Sequence, residues 1–150
     1  DVTAMLGMRE RQLHQLVHDG SFNAKLSAGG LVDCEYLVQA MQITHGHQAV
    51  ELRSTNTCDA LRALHDRDVL STDDFHSLRD AYIFLRRMID ALRMVRGDAR
   101  DLAIPDPATD EFEYLAGRLG YGLNTQRLAL DIEQTAATVS GAARLLDGLC

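Results

Sequence analysis

The chain has 150 residues, enough for one domain with a core of its own, and it is 46% hydrophobic and 25% charged. Its net charge of −7 excludes the broadly basic surface that nonspecific binding to nucleic acid or anionic membranes needs. No apolar run approaches the roughly 20 residues of a membrane span, and no secretory leader is visible; a cytoplasmic setting without nucleic-acid or membrane partners is expected.

Residues 4 to 18 (AMLGMRERQLHQLVH) predict a first helix, closed by Asp19-Gly20. A second is predicted over residues 30 to 45, with Leu31, Cys34, Val38 and Met41 at 3-4 spacing and a glycine C-cap in His45-Gly46-His47. A third runs from about Asn56 to Arg67, with Ser54 or Thr55 as its expected N-cap. The fourth starts at Ser71 or Thr72 and carries two adjacent apolar rows. Phe75, Leu78, Tyr82, Leu85, Ile89 and Leu92 form one; Ala81, Phe84, Met88, Ala91 and Val95 form the other. Two rows make a wide apolar face, so this helix is expected at the centre. It should end at Arg96-Gly97.

An irregular stretch with Pro105 and Pro107 follows, then a short helix from about Asp110 to Leu119, broken by Gly120-Tyr121-Gly122. The last helix starts near Asn124, with Leu128, Ile132, Thr135, Val139, Ala142 and Leu146 on one face. No segment alternates with period two. The expected fold is all-α: residues 1–150 as a single bundle of about six helices around a long central one.

Three cysteines, Cys34, Cys58 and Cys150, lie far apart and make no disulfide framework or metal motif. The histidines, including His14 with His18 and His45 with His47, offer no convergent zinc set. Asp66-Arg67-Asp68 reads as a solvated turn rather than a magnesium site.

The polar stretch from Lys25, the sole lysine, to Glu35 carries the most chemistry. Gly29-Gly30 at a helix start either brings backbone close to a phosphate or makes a tight entry turn. Asp33 and Glu35, two residues apart, point to different sides of the helix. Each is either a capping or solvated carboxylate, or one that anchors an arginine or faces a cleft. Arg79, Arg86 and Arg93 repeat every seven residues along the fourth helix, with Asp90 in reach of Arg86 and Arg93. That stripe is either a solvated face or an anion-recognition face.

Two blocks, KLSAGGLVDCEYLVQAMQITHG and LRDAYIFLRRMIDALRMVRG, resemble the helical domain of the glutamine synthetase adenylyltransferase family, to which the PII uridylyltransferases are related. The first family pattern, K-x-x-x-GG-[IL]-x-[DE]-[IL]-E-[FWY]-x-x-Q, falls on Lys25, Gly29, Gly30, Leu31, Asp33, Cys34, Glu35, Tyr36 and Gln39. The second, A-Y-x-F-L-R-R, falls on Ala81, Tyr82, Phe84, Leu85, Arg86 and Arg87. Val32 stands where many members have arginine, and Cys34 where most have Ile or Leu. The similarity spans roughly residues 8 to 105; from 106 on, the chain matches only in being helical.

In that family a nucleotidyltransferase domain precedes the helical one and carries a Gly-Ser followed by an Asp-x-Asp that holds Mg²⁺ for nucleotide transfer from ATP. No such motif occurs here, and the chain starts at Asp1 without Met. The resemblance therefore implies an excised helical domain, inactive alone and without cofactor of its own, from an enzyme that uses ATP and Mg²⁺. The implied partners are its own catalytic domain, glutamine synthetase and a PII-type protein. On that reading Lys25, Gly29, Gly30, Asp33, Glu35, Arg86 and Arg93 border the nucleotide cleft or a domain interface, with Asp33 and Glu35 fixing the turn or pairing with arginines such as Arg86. The alternative is a regulatory interaction module that binds a PII-type protein and has no role in nucleotide binding. It would expose an apolar patch between the fourth and sixth helices.

Overall fold

The structure, a computed structural model, describes residues 2–16, 21–46, 54–97 and 101–147, and the side chains of residues 13–16 lie outside it. Six α-helices occur among these residues: α1 (Val2–Leu16), α2 (Leu31–His45), α3 (Thr57–Asp66), α4 (Thr72–Arg96), α5 (Asp110–Arg118) and α6 (Thr125–Gly141). A 3₁₀ turn, Ala142–Leu146, continues α6. The described residues form no strand, so the all-α expectation holds.

The 25 residues of α4 span about 37 Å at ~1.5 Å per residue. Ser71 Oγ accepts the Asp74 N–H at 3.1 Å, and Asp73 and Asp74 complement the positive end of the helix dipole. Gly97, at φ 65°, ends the helix in the left-handed region. Phe75, Leu78, Leu85, Met88, Ile89 and Leu92 are buried, while Tyr82, Phe84 and Val95 pack at the rim of the core. The two predicted rows are thus the two sides of one buried face, and α4 packs against α2, α3, α5 and α6. A smaller cluster, Val2, Met5 and Ala40, joins α1 to α2.

Three local expectations are corrected. The N-cap of α3 is Asn56, whose Oδ1 accepts the Asp59 N–H at 3.0 Å; Ser54 Oγ accepts the Asn56 N–H instead and shapes the approach. Gly46 ends α2 with ordinary right-handed angles (φ −64°), so no left-handed cap forms there. The first helix begins at Val2, and the predicted Asp19-Gly20 stop falls outside the described residues, as do His18, His47 and Cys150.

The stretch after α4 is ordered by pairing rather than by helix. Ala24 N–H donates to Leu102 O at 2.9 Å and Ile104 N–H to Phe22 O at 2.7 Å, around a single antiparallel bridge between Asn23 and Ala103. Arg96 holds this segment to α4 and α5, donating to Asp101 O and Glu111 Oε1, each at 2.7 Å. The loop before α2 is braced from both sides, which prepares the geometry of its glycines.

Candidate functional site

Residues 21–30 coil tightly before α2. Asn23 Oδ1 accepts the N–H groups of Lys25 and Leu26 at 3.0 and 2.9 Å, an Asx turn. Ser27 Oγ accepts the Asn23 N–H at 2.7 Å. The following amides close back on the loop: Gly30 N–H to Ser27 O at 2.8 Å, Leu31 N–H to Ala24 O at 2.9 Å and Val32 N–H to Lys25 O at 3.0 Å.

Asp33 ties this coil to α1. Its Oδ2 accepts the Gly29 N–H at 2.7 Å and its Oδ1 accepts Arg9 Nε at 2.6 Å. Arg9 Nη2 donates to the carbonyls of Leu26 (2.8 Å) and Ser27 (3.3 Å), and Nη1 to Gln12 Oε1 at 3.2 Å. Arg9 is only 4% exposed. A guanidinium that deep needs its charge matched and its N–H groups engaged; Asp33 of α2 supplies the charge, and Gln12 with the two loop carbonyls takes up the other N–H groups.

The amides of residues 29 to 32 are all engaged within the chain. They do not form an open anion cradle of the kind a helix start can offer. Gly29 has φ +82°, and a Cβ there would stand 2.5 Å from Ala136 O on α6. Gly30 has no room either: its Cβ would meet the carbonyls of Ser27, Ala24 and Lys25 at 2.9–3.0 Å. Both glycines serve close backbone packing.

Of the residues singled out from the sequence, Gly29, Gly30 and Asp33 meet in this one knot. Lys25 contributes only backbone to it, and its side chain is exposed. Glu35 lies on another side of α2, half-buried, with no ion pair among the described residues. It lines a hollow of about 240 Å³ with Gln39, Gln42, Ser54, Thr55 and Thr57. Arg86 is exposed on α4, and Arg93 reaches Asp90 at 3.9 Å. The carboxylate–arginine pairing expected of Asp33 or Glu35 is therefore made by Asp33 with Arg9, not with Arg86. Sequence reasoning missed Arg9, although one signal was present: Val2, Met5 and Arg9 follow each other at 3-4 spacing, so Arg9 continues a buried stripe.

Arg9 and Asp33 also wall a largely apolar hollow of about 210 Å³, shared with Leu6, Tyr36, Leu37, Val139 and Leu146. Nucleophilic chemistry finds no support nearby. Cys34 is fully buried, and burial, reinforced by Glu35, Cys58 and Asp33, pushes its thiol up to about 12. Thiolate is the reactive form, so native protein treated with a chromogenic disulfide reagent at pH 8 should leave Cys34 unlabelled until denaturant is added. Rapid labelling of Cys34 would show that the core opens readily. Among the described residues no three His, Cys, Asp or Glu side chains are placed to hold a metal ion. Asp68 of the Asp66-Arg67-Asp68 run sits in a left-handed turn conformation, φ 60°. No helix among the described residues is long and apolar enough to cross a membrane.

Comparison with known proteins bears on the whole bundle. The chain is 35% identical, over 97% of its length, to the bifunctional glutamine synthetase adenylyltransferase/adenylyl-removing enzyme of Stenotrophomonas maltophilia K279a. It is 38% identical, over 69% of its length, to the protein of the same description from Streptomyces coelicolor. These matches take up 16% and 10% of the two relatives. A family model described as GlnD PII-uridylyltransferase matches residues 4–146, so the likeness extends past residue 105 and through α5 and α6. On that coverage the chain belongs to the GlnD PII-uridylyltransferase family, as a helical segment similar to one within the glutamine synthetase adenylyltransferases.

Proposed function

We propose that this bundle is the helical accessory domain of a cytoplasmic, glutamine synthetase adenylyltransferase-like enzyme. It packs beside the nucleotidyltransferase domain, completes the ATP cleft and helps to present glutamine synthetase. The observation that carries the reading is the loop of residues 21–30. It is tied to α1 and α2 by the part-buried Arg9–Asp33 pair, yet it leaves the side chain of the sole lysine, Lys25, exposed. An exposed ammonium carried on a braced loop of an acidic chain suits a phosphate delivered by another domain. Gly29, Gly30 and Asp33 act here by shaping the loop, while Glu35, Arg86 and Arg93 are candidates for the domain interface. The described residues offer no set of ligands for Mg²⁺, so no metal role is assigned to them.

Calorimetry of Mg-ATP binding to the polypeptide that includes the nucleotidyltransferase domain tests this. Lys25→Ala should weaken binding about tenfold or more, as expected for one charged hydrogen bond worth ~1.5–3 kcal/mol. An unchanged affinity removes Lys25 from the cleft. The second reading, a module that binds a PII-type protein, draws on exposed Ile83, Met94, Leu123 and Leu130 around α4 and α6. It gains if ATP binding ignores Lys25 while a PII-type protein covers that face.

A further inference from the structure

Around Lys25 the loop before α2 is held at both the N–H and the C=O of three consecutive residues. Ala24 N–H donates to Leu102 O, and Ala24 O accepts the Leu31 N–H, each at 2.9 Å. Lys25 N–H donates to Asn23 Oδ1, and Lys25 O accepts the Val32 N–H, each at 3.0 Å. Leu26 N–H donates to the same Asn23 Oδ1 at 2.9 Å, and Leu26 O accepts Arg9 Nη2 at 2.8 Å. With its own backbone and that of both neighbours fixed, the base of the Lys25 side chain has a set direction. From there the stem runs into solvent.

Two of these bonds converge on one side-chain atom, the carboxamide oxygen of Asn23. The others end on backbone groups or on Arg9. Asn23 is itself placed by its surroundings. Its N–H donates to Ser27 Oγ at 2.7 Å, its carbonyl accepts the Ser27 N–H at 3.1 Å, and its backbone bridges to Ala103. Ser27 is 7% exposed, so the carboxamide links a buried support to an exposed lysine. Without that oxygen the N–H groups of Lys25 and Leu26 turn to water, and the backbone between Ala24 and the Arg9 contact gains freedom. That freedom is lost again when the ammonium meets a ligand, at a cost in affinity.

We propose that Asn23 is the positioning residue for Lys25. Its carboxamide oxygen fixes the turn in advance, so that only the lysine stem is ordered when the ammonium meets a nucleotide phosphate. Asn23 does not touch the phosphate; it acts through the lysine. The inference rests on the reading of Lys25 as a phosphate-binding group.

Calorimetry of Mg-ATP binding to the polypeptide that includes the nucleotidyltransferase domain tests it. The parent is compared with Asn23→Ala, Asn23→Ser, Lys25→Ala and the double variant Asn23→Ala/Lys25→Ala. Asn23→Ala should weaken binding about three- to tenfold, the ordering cost of a turn no longer fixed beforehand. Asn23→Ser should recover part of this, since a hydroxyl accepts the same N–H groups more weakly. The double variant should bind no more weakly than Lys25→Ala, because the turn then has no ammonium to aim. The number of sites per chain should match the parent in every variant. Asn23→Ala at parent affinity, with Lys25→Ala weakened, overturns the inference and leaves the cleft reading standing. Losses that multiply in the double variant also overturn it, since they mark a role independent of the lysine. So does a fall in the number of sites at unchanged affinity, which marks a residue needed only for folding. Should Asn23→Ala not fold, Asn23→Ser carries the same cycle against Lys25→Ala. If Lys25→Ala itself binds as the parent does, the cleft reading falls and the positioning role falls with it.

Discussion

Arg9→Ala is expected to cost about 3–5 kcal/mol of unfolding free energy, the usual range when one partner of a buried ion pair is removed. The guanidinium side chain is 5% exposed and Asp33 is 24% exposed. Removing Arg9 strands more than a carboxylate: the Leu26 carbonyl loses the guanidinium donor as well, while the Ser27 carbonyl keeps the Gly30 N–H. Asp33 keeps the Gly29 N–H and some access to water, which argues for the lower half of the range. Against a total of ~5–15 kcal/mol for a domain, even that is a large share. Arg9→Lys separates charge from shape. An ammonium retains the charge but cannot reach one carboxylate and two carbonyls from a planar fork, so it should recover only part of the loss. Urea denaturation of the three proteins at equal m-value measures this. A loss below about 1 kcal/mol for Arg9→Ala would place the pair in the weak class of surface bridges and remove the anchor from the loop.

The central helix is legible in the sequence because its determinants are local. The 3-4 spacing, the Ser71 cap and the Gly97 stop all lie within or beside the segment they define, and the buried face follows from them. The Arg9–Asp33 pair is different. It joins residues 24 apart, and a pairing at that distance leaves no periodic trace. All that shows in the sequence is an arginine where an apolar residue is due. The α3 cap differs from expectation for a smaller reason: Ser54, Thr55 and Asn56 are all capping types in a row. Only the backbone angles decide which of them stands at the helix boundary. Likewise Gly29-Gly30 is visible as a special turn, but its two readings differ by what lies opposite. What lies opposite is Ala136, 107 positions along the chain. The phosphate reading of the glycines depends on free amides, and these are engaged by carbonyls that the same turn brings round and by the Asp33 carboxylate. Lys25 keeps its polar end open to solvent, which is why the phosphate reading passes from the glycines to the lysine.

Gly29→Ala should be the second large effect, and the other glycines resolve its origin. Two costs act together at residue 29. At φ +82° an L side chain sits in the left-handed region, at roughly 1–2 kcal/mol. Its Cβ would also stand 2.5 Å from Ala136 O and 2.9 Å from Ala136 Cα, backbone atoms of α6 that cannot rotate away. Overpacking of this sort costs about 1–3 kcal/mol, so the sum is about 2–5 kcal/mol. Gly97 and Gly120, at φ +65° and +85°, have nothing within 4 Å of where a Cβ would stand, so alanine there should show the first cost alone. Gly30, at φ −84°, should show only the second, from three loop carbonyls at 2.9–3.0 Å. Chemical denaturation of the four single variants tests the division. If Gly29→Ala costs no more than Gly97→Ala, α6 yields to the added methyl and the loop is not clamped against it. If Gly29→Ala exceeds both Gly97→Ala and Gly30→Ala, the glycine is held by the approach of α6, and its place in the motif is explained by packing without any phosphate.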